Sequence, residues 1–283
     1  MANELILTLS CPDRRGIVHA VSGFLLEHGN NILEARQFED RSTGLFFMRV
    51  QFSAGDEAST ESFTDAFATT AAEFGMRFAF RLAGRPVPTA ILVSRQGHCL
   101  NDLLFRWKSG LLPIDIRAIV SNHRDFYQLA ASYNIPFHEI PISAATKPRA
   151  EARLVDVLES EAVELVVLAR YMQVLSDDLC ERLAGRAINI HHSFLPSFKG
   201  ARPYQQAHDR GVKLIGATAH YVTAWLDEGP IIEQEIERVD HSMDVATLAA
   251  IGRDVESVAL ARAVKWHAEH RVLLNGAKTV IFR

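Results

Sequence analysis

Long apolar runs are missing from this chain, and with them most of the features that would take it into a membrane. No stretch approaches about 18 consecutive apolar residues, the length at which a membrane-spanning helix becomes credible. The opening residues, Met1-Ala2-Asn3-Glu4, have no basic region followed by an apolar stretch, so no secretory signal is expected. Cysteine is scarce. Cys11, Cys99 and Cys180 are odd in number, far apart and without a CxxC pair, which argues against a disulfide framework and for reduced thiols. Runs of Lys and Arg are absent and the formal net charge is −4, which argues against a general nucleic-acid binder. The histidines contain no HExxH or comparable spacing, and adjacent ones such as His191 and His192 rarely ligate one ion, so no metal is expected. Low-complexity tracts and internal repeats are lacking too. The expectation is a soluble, cytoplasmic protein with no membrane and no nucleic acid among its partners.

What is present is an ordinary globular composition, 48% hydrophobic and 23% charged, in a chain of 283 residues that suits two domains better than one core. Residues 1–82 form one unit. Leu5, Leu7 and Leu9 alternate as in a strand, and Ile17, Val21, Phe24 and Leu25 follow helical spacing until Gly29 and Asn30. A second strand over Asn31 to Glu39, the alternation of Phe46, Met48, Val50 and Phe52, a helical stripe of Phe63, Phe67, Ala71 and Phe74, and a strand from Met76 to Leu82 complete a βαββαβ order. That is the ferredoxin-like plan. Residues 83–88, with two prolines and a glycine, read as the joint.

Residues 89–283 have another texture. Short apolar runs (Ile91 to Val93, Ile116 to Val120, Leu165 to Ala169, Ala187 to Ile190) alternate with helix-like stretches at Leu100 to Lys108 and Arg149 to Ser160. Buried parallel strands crossed over by helices give this pattern, so the class is α/β with a Rossmann-like, mostly parallel sheet. Lys213 to Val222 and Pro230 to Ile236 are later strands. A long helix, with Leu248, Val255, Val258 and Trp266 on its inner side, is expected to close the chain.

Polar chemistry concentrates between Ala187 and Pro230. One strand runs into Asn189-Ile190-His191-His192-Ser193-Phe194-Leu195-Pro196, and ligands of parallel sheets sit beyond such strand ends. Asn189 and His191 are two apart and project to the same side, where an amide and an imidazole can receive a carbonyl oxygen as it becomes an oxyanion. His192 points the other way, as a support or a second catalytic group. Gly216-Ala217-Thr218-Ala219-His220 reads as a strand that leads to Leu226-Asp227-Glu228-Gly229-Pro230, a turn able to present a carboxylate. His220 is either a partner behind the site or a plain strand histidine.

These three stretches resemble the folate-dependent formyltransferase superfamily, whose Asn, His and Asp catalytic set falls on Asn189, His191 and Asp227. The resemblance implies a folate-contacting segment around Met172, Val174 and Leu175, with Gln173 where Arg is common. It also implies substrate contacts from His220, Gly97 and His98. The loop Ser94-Arg95-Gln96-Gly97-His98-Cys99 has a single glycine where glycinamide ribonucleotide formyltransferases have a Gly-rich phosphate loop. Bulky His98 would crowd a phosphate against backbone N–H groups. Cys11-Pro12-Asp13-Arg14-Arg15-Gly16-Ile17-Val18 is similar to the opening loop of ACT domains, which pair and bind amino acids. An ACT domain fused to this catalytic domain is the arrangement of formyltetrahydrofolate deformylases. The resemblance thus implies hydrolysis of 10-formyltetrahydrofolate in one-carbon metabolism linked to purine synthesis, with no cofactor beyond the folate. It also implies a homo-oligomer and a methionine or glycine effector held by Asp13, Arg14, Gly16, Ile17, Asn30 and Asn31. Arg14 and Arg15 could equally be a solvated helix start. The rivals are a formyltransferase with an amine acceptor and an amino-acid-binding regulator with a silent catalytic domain.

Overall fold

A computed structural model describes residues 3–55, 59–194 and 203–283. Two compact units emerge from its contacts. One is Met1–Arg85 with Glu269–Asn275 and Thr279–Arg283; the other is Pro86–Ala268 with Gly276–Lys278. The first unit begins β1 (Asn3–Pro12), α1 (Ile17–Glu27), β2 (Asn31–Asp40), β3 (Leu45–Ala54), α2 (Thr60–Phe74) and β4 (Arg77–Leu82). Its sheet has the order β2-β3-β1-β4 with every pair antiparallel, the ferredoxin-like arrangement expected from the order of elements. Strand alternation turns Leu5, Leu7, Leu9, Val50 and Phe52 to the side where Ile17, Val21 and Phe24 of α1 and Phe63 and Phe67 of α2 form one core. Both helices end on a left-handed glycine. At α1 this is Gly29, after which the Asn30 N–H returns to the Leu25 carbonyl; at α2 it is Gly75.

The second unit runs β5 (Val87–Val93), α3 (His98–Lys108), β6 (Ile114–Ser121), α4 (Tyr127–Ser132), β7 (Phe137–Glu139), α5 (Lys147–Ser160), β8 (Leu165–Leu168), α6 (Asp177–Arg182), β9 (Ala187–His191), α7 (Pro203–Asp209), β10 (Leu214–Tyr221), β11 (Ile231–Arg238) and α8 (Val245–Ala268). The sheet order is β11-β10-β9-β8-β5-β6-β7. β9, β8, β5, β6 and β7 are mutually parallel, and β10 is antiparallel to both β9 and β11. Every residue of β5 and β8 is buried, as helices on both faces require. The chain lays β6 and β7 on one side of β5, then crosses back to place β8 and β9 on the other. The carboxyl ends of β5 and β8 thus flank a topological switch point, where open sheets of this kind bind ligands. Among the described residues, no helix is long and apolar enough to cross a membrane.

Two expectations are corrected, and four short elements are added. β5 starts inside the segment 83–88, because Val87 and Pro88 already pair with Ile114 and Asp115. The short elements α4, β7, α6 and α7 were not legible, since three to seven residues carry too little periodicity. And α8 does not close the chain. A hairpin follows it, β12 (Val272–Asn275) and β13 (Lys278–Ile281), turned by Gly276 at φ 59° and Ala277. Asn275-Gly276 between apolar runs is a strong hairpin signal. Most of these last residues belong with the first unit instead of the domain 89–283. Val280 and Phe282 pack on Phe47, which points to the face of β3 opposite the helices and is fully buried. Arg49 on that face is buried as well. It donates to Glu34 Oε2 at 2.7 Å and to the Glu269 carbonyl at 3.2 Å.

Candidate active site

β9 delivers Asn189 and His191 to the carboxyl end of the sheet, and its antiparallel neighbour β10 places His220 directly opposite Asn189. The loop 222–230 then folds back, tied at its base by the Tyr221 N–H on the Pro230 carbonyl. In this loop Asp227 takes the left-handed conformation, φ 57°, which Asp tolerates better than most residues. Its carboxylate lies 3.1 Å (Oδ2) from His191 Nδ1 and 3.7 Å (Oδ1) from His220 Nε2. Burial alone would raise the Asp227 carboxyl, but its contacts with the His191 and His220 rings outweigh it and hold the group well below the usual carboxylate range.

The partners fix the ring states. His220 Nδ1 is 2.9 Å from the Tyr221 carbonyl, which only accepts, so that nitrogen carries hydrogen. Nε2 then accepts from Asn189 Nδ2 at 3.2 Å. This turns the NH2 end of the carboxamide toward His220 and leaves its second N–H available. His191 Nε2 is buried with no hydrogen-bond partner among the described residues. Asn189, His191, His220 and Asp227 all line one pocket of about 260 Å³.

The mouth of that pocket is apolar. Met172, Val174, Trp225 and Leu226 all line it and are each more than half exposed, an arrangement suited to a flat aromatic ligand with a polar end below. Ser94 at the end of β5 pins one wall: its hydroxyl accepts the Met172 N–H at 2.9 Å and donates to Asn122 Oδ1 at 2.7 Å. The Met172 N–H is therefore already committed, and Met172 offers the pocket its side chain. Leu175 lines the wall from a buried position.

Gly97 and His98 are not among the residues lining this pocket. A Cβ on Gly97 would lie 2.4 Å from the Phe126 ring. His98 Nε2 is 2.7 Å from Glu256 Oε2, a carboxylate that also takes the Tyr204 hydroxyl at 2.8 Å and lies 3.4 Å from Arg170 Nε. His98, Cys99 and Glu256 bring possible ligand atoms within 4.8 Å of one another, the one such cluster among the described residues. However, Glu256 is already shared among three donors, and burial pushes the Cys99 thiol far up, which keeps it protonated.

The sequence pattern missed Arg170, Glu256 and Tyr204, which meet only through the fold, and Trp225, whose place just before Leu226-Asp227 was a usable signal. Leu195 and Pro196 of the histidine motif lie outside the described residues. In the first unit, the six residues assigned to an effector separate into two groups. Asp13, Arg14, Gly16 and Ile17 stand at the start of α1, while Asn30 and Asn31 follow its end, about 16 Å away along the eleven-residue helix. Arg14 donates to the Glu73 carbonyl and sits 4.0 Å over the Phe74 ring, the Asp13 N–H goes to the Gly44 carbonyl, and Asn30 Nδ2 is buried without a partner among the described residues.

An open α/β sheet with Asn, His and Asp gathered at its carboxyl edge places the second unit among the formyl transferases, and the Formyl transferase family model matches residues 88–264. Across nearly the whole chain the likeness is more specific. A formyltetrahydrofolate deformylase of Corynebacterium sp. (strain P-1) is 54% identical over 98% of each chain, and that of Bacillus subtilis (strain 168) is 48% identical over 98% of this chain and 93% of its own. The crystal structure of the Burkholderia mallei formyltetrahydrofolate deformylase superposes with a TM-score of 0.95 at 53% identity, covering 99% of this chain and 100% of that one. The chain belongs to the formyltetrahydrofolate deformylase family.

Proposed function

We propose that this protein is a cytoplasmic hydrolase that removes the formyl group of 10-formyltetrahydrofolate, giving formate and tetrahydrofolate. The observation that carries this is the His191–Asp227 pair, with Asn189 beside it, at the base of an apolar-mouthed pocket. The pterin end of the folate enters between the Met172 to Leu175 wall and the Trp225-Leu226 loop. Water attacks the formyl carbon, and the carbonyl electron pair moves onto oxygen. Asn189 Nδ2–H and a protonated His191 Nε2–H receive that oxygen, a contribution of about 10²–10³ in rate for each such donor. Asp227 Oδ1, more distant from its histidine than Oδ2, orients the water and takes its proton. The proton passes to the leaving nitrogen as the C–N bond breaks, which releases both products. His220 acts behind these groups by setting the Asn189 amide.

Water is favoured over an amine acceptor because the space beside α3, where a phosphate-bearing acceptor would be cradled, is filled by Phe126, His98 and Glu256. No cofactor beyond the folate and no metal enters the reaction. Purified enzyme should therefore release formate with no amine added. Glycinamide ribonucleotide should not accelerate loss of the formyl group, and a chelator should leave the rate unchanged. Formyl transfer to the amine would move the chain to the rival class, and inhibition reversed by zinc would overturn the metal-free mechanism.

Residues 1–82 serve as an ACT-like regulatory unit. Because the two groups of effector residues lie at opposite ends of α1, one chain cannot enclose a single amino acid between them. Pairing of two such units brings the start of one α1 against Asn30 and Asn31 of the other. The expected outcome is a homo-oligomer whose turnover responds to methionine or glycine. Deleting residues 1–82 should abolish the response and reduce the oligomer; a full-length protein that is monomeric at micromolar concentration and indifferent to both amino acids would end this reading.

A further inference from the structure

We infer that Arg170 holds His192 permanently neutral, so that the stacked His191–His192 pair carries its one positive charge on His191. This rests on the proposed use of His191 as the proton-bearing donor. The two rings stack with centroids 4.6 Å apart and planes inclined by 26°. Two imidazolium charges so close in a buried site repel strongly, so at most one ring is charged. The rings, otherwise alike, have opposite partners. His191 Nδ1 faces the carboxylate of Asp227 at 3.1 Å, whereas His192 Nδ1 faces Arg170 Nη1 at 3.2 Å.

A guanidinium only donates and does not lose its proton. Arg170 Nη1–H on His192 Nδ1 therefore requires a lone pair there, and the ring's single hydrogen stays on Nε2. A second proton would set N–H against N–H beside a fixed cation. Arg170 cannot readily turn away: its Nε donates to Gln96 Oε1 at 3.0 Å and lies 3.4 Å from the buried Glu256 carboxylate, and its carbonyl takes the Ser94 N–H. Its backbone is left-handed, φ 64°, a costly conformation for a long side chain, and it persists where surrounding contacts impose it.

The charged groups facing His192 come from four elements: Arg170 after β8, His191 on β9, Glu256 on α8 and Asp227 between β10 and β11. The two cations oppose a proton on His192. The two carboxylates favour one, but Glu256 is engaged by Arg170, His98 and Tyr204, and Asp227 by His191 and His220. Burial first, then the charges of His191 and Arg170, push His192 down to about 4. Arg170 is thus a positioning residue. It acts through His192 to decide where the proton resides.

Nitrogen-15 imidazole spectra of the wild type should show His192 as the neutral Nε2–H tautomer between about pH 6 and 9. Arg170→Lys keeps a cation near Glu256 but loses the rigid fork that meets His192. It should move the pH at which His192 gains a proton upward, a shift read in the nitrogen-15 spectra, and should lower kcat most at the acid end of the pH profile. Adding His192→Phe preserves a stacked ring that cannot titrate, so Arg170→Lys/His192→Phe should recover most of that loss. A purely structural role for Arg170 gives no such rescue. A double variant no more active than Arg170→Lys, or a wild-type His192 protonated at Nδ1, overturns the inference; if Arg170→Lys does not fold, the wild-type spectra decide alone. Failure of the hydrolase reading itself would show elsewhere, as acceptor-free formate release that does not occur.

Discussion

His191→Ala and Asp227→Asn are each expected to lower kcat for formate release by at least about two orders of magnitude with the fold intact. The two residues form one device. Asp227 stays ionised throughout the neutral range because its contacts with the His191 and His220 rings outweigh the effect of its burial. Its Oδ2 faces His191 Nδ1 at 3.1 Å, and His191 Nε2 has no partner among the described residues. Removing the imidazole deletes the cationic donor to the formyl oxygen. Removing the carboxylate charge deletes the partner of His191 Nδ1, along with the group proposed to handle the water's proton. The losses should therefore not add: the double variant should fall little below the worse single one, as groups acting as a unit do. Single-turnover rates on refolding-competent protein, checked for an unchanged melting temperature, make the comparison. Near-normal turnover in either folded variant would remove these residues from the mechanism.

The residues proposed for catalysis were legible in the sequence because their spacing is local. Asn189 and His191 occupy alternate positions on one short strand, and Asp227 sits in a turn flagged by Gly229 and Pro230. The ferredoxin-like unit was legible for the same reason, since its strands alternate and its helices keep their stripes. What escaped depends on contacts distant in sequence. Glu256 lies in a helix otherwise rich in Ala and Val, and nothing nearby announces that it will meet His98, 158 residues away. Arg170 reads as an ordinary polar residue after a strand, because positive φ leaves no mark on composition. Arg49 falls on the polar side of an alternating strand, which normally means solvent. That side is covered because the hairpin after α8 carries Val280 and Phe282 back onto Phe47. The tail's own Asn275-Gly276 signal was there to be weighed, but the face it would cover was not.

Gly229→Ala is the second large effect expected, and it arises without touching a charged group. Built on the backbone of Gly229, a Cβ would lie 1.7 Å from the Tyr221 carbonyl oxygen, 2.9 Å from the carbon of that carbonyl and 3.2 Å from His220 Nδ1. The first two are main-chain atoms, so no side chain can swing aside to make room. Either the loop 222–230 lifts away from β10 or the Tyr221 carbonyl turns. In the first case Asp227, two residues earlier, leaves its 3.1 Å contact with His191. In the second, His220 loses the acceptor for its Nδ1–H, and with it the ring state that orients Asn189. Both routes displace reacting groups by something on the order of 1 Å, which is enough to cost about 10²-fold in kcat. The fold should survive, because the clash lies where the β10–β11 loop closes on its strand and not in either core. Gly23→Ala provides the control. That glycine lies inside α1 with nothing within 4 Å of its added methyl, so the change should leave turnover alone and raise helix stability by up to about 1 kcal/mol. The expected pattern is a folded Gly229→Ala protein that still binds folate weakly and turns over about a hundredfold more slowly, beside an unaffected Gly23→Ala. A Gly229→Ala enzyme with wild-type kcat would mean that the loop can carry Asp227 to His191 from more than one backbone position, and that the close approach at Tyr221 does not set the geometry of the site.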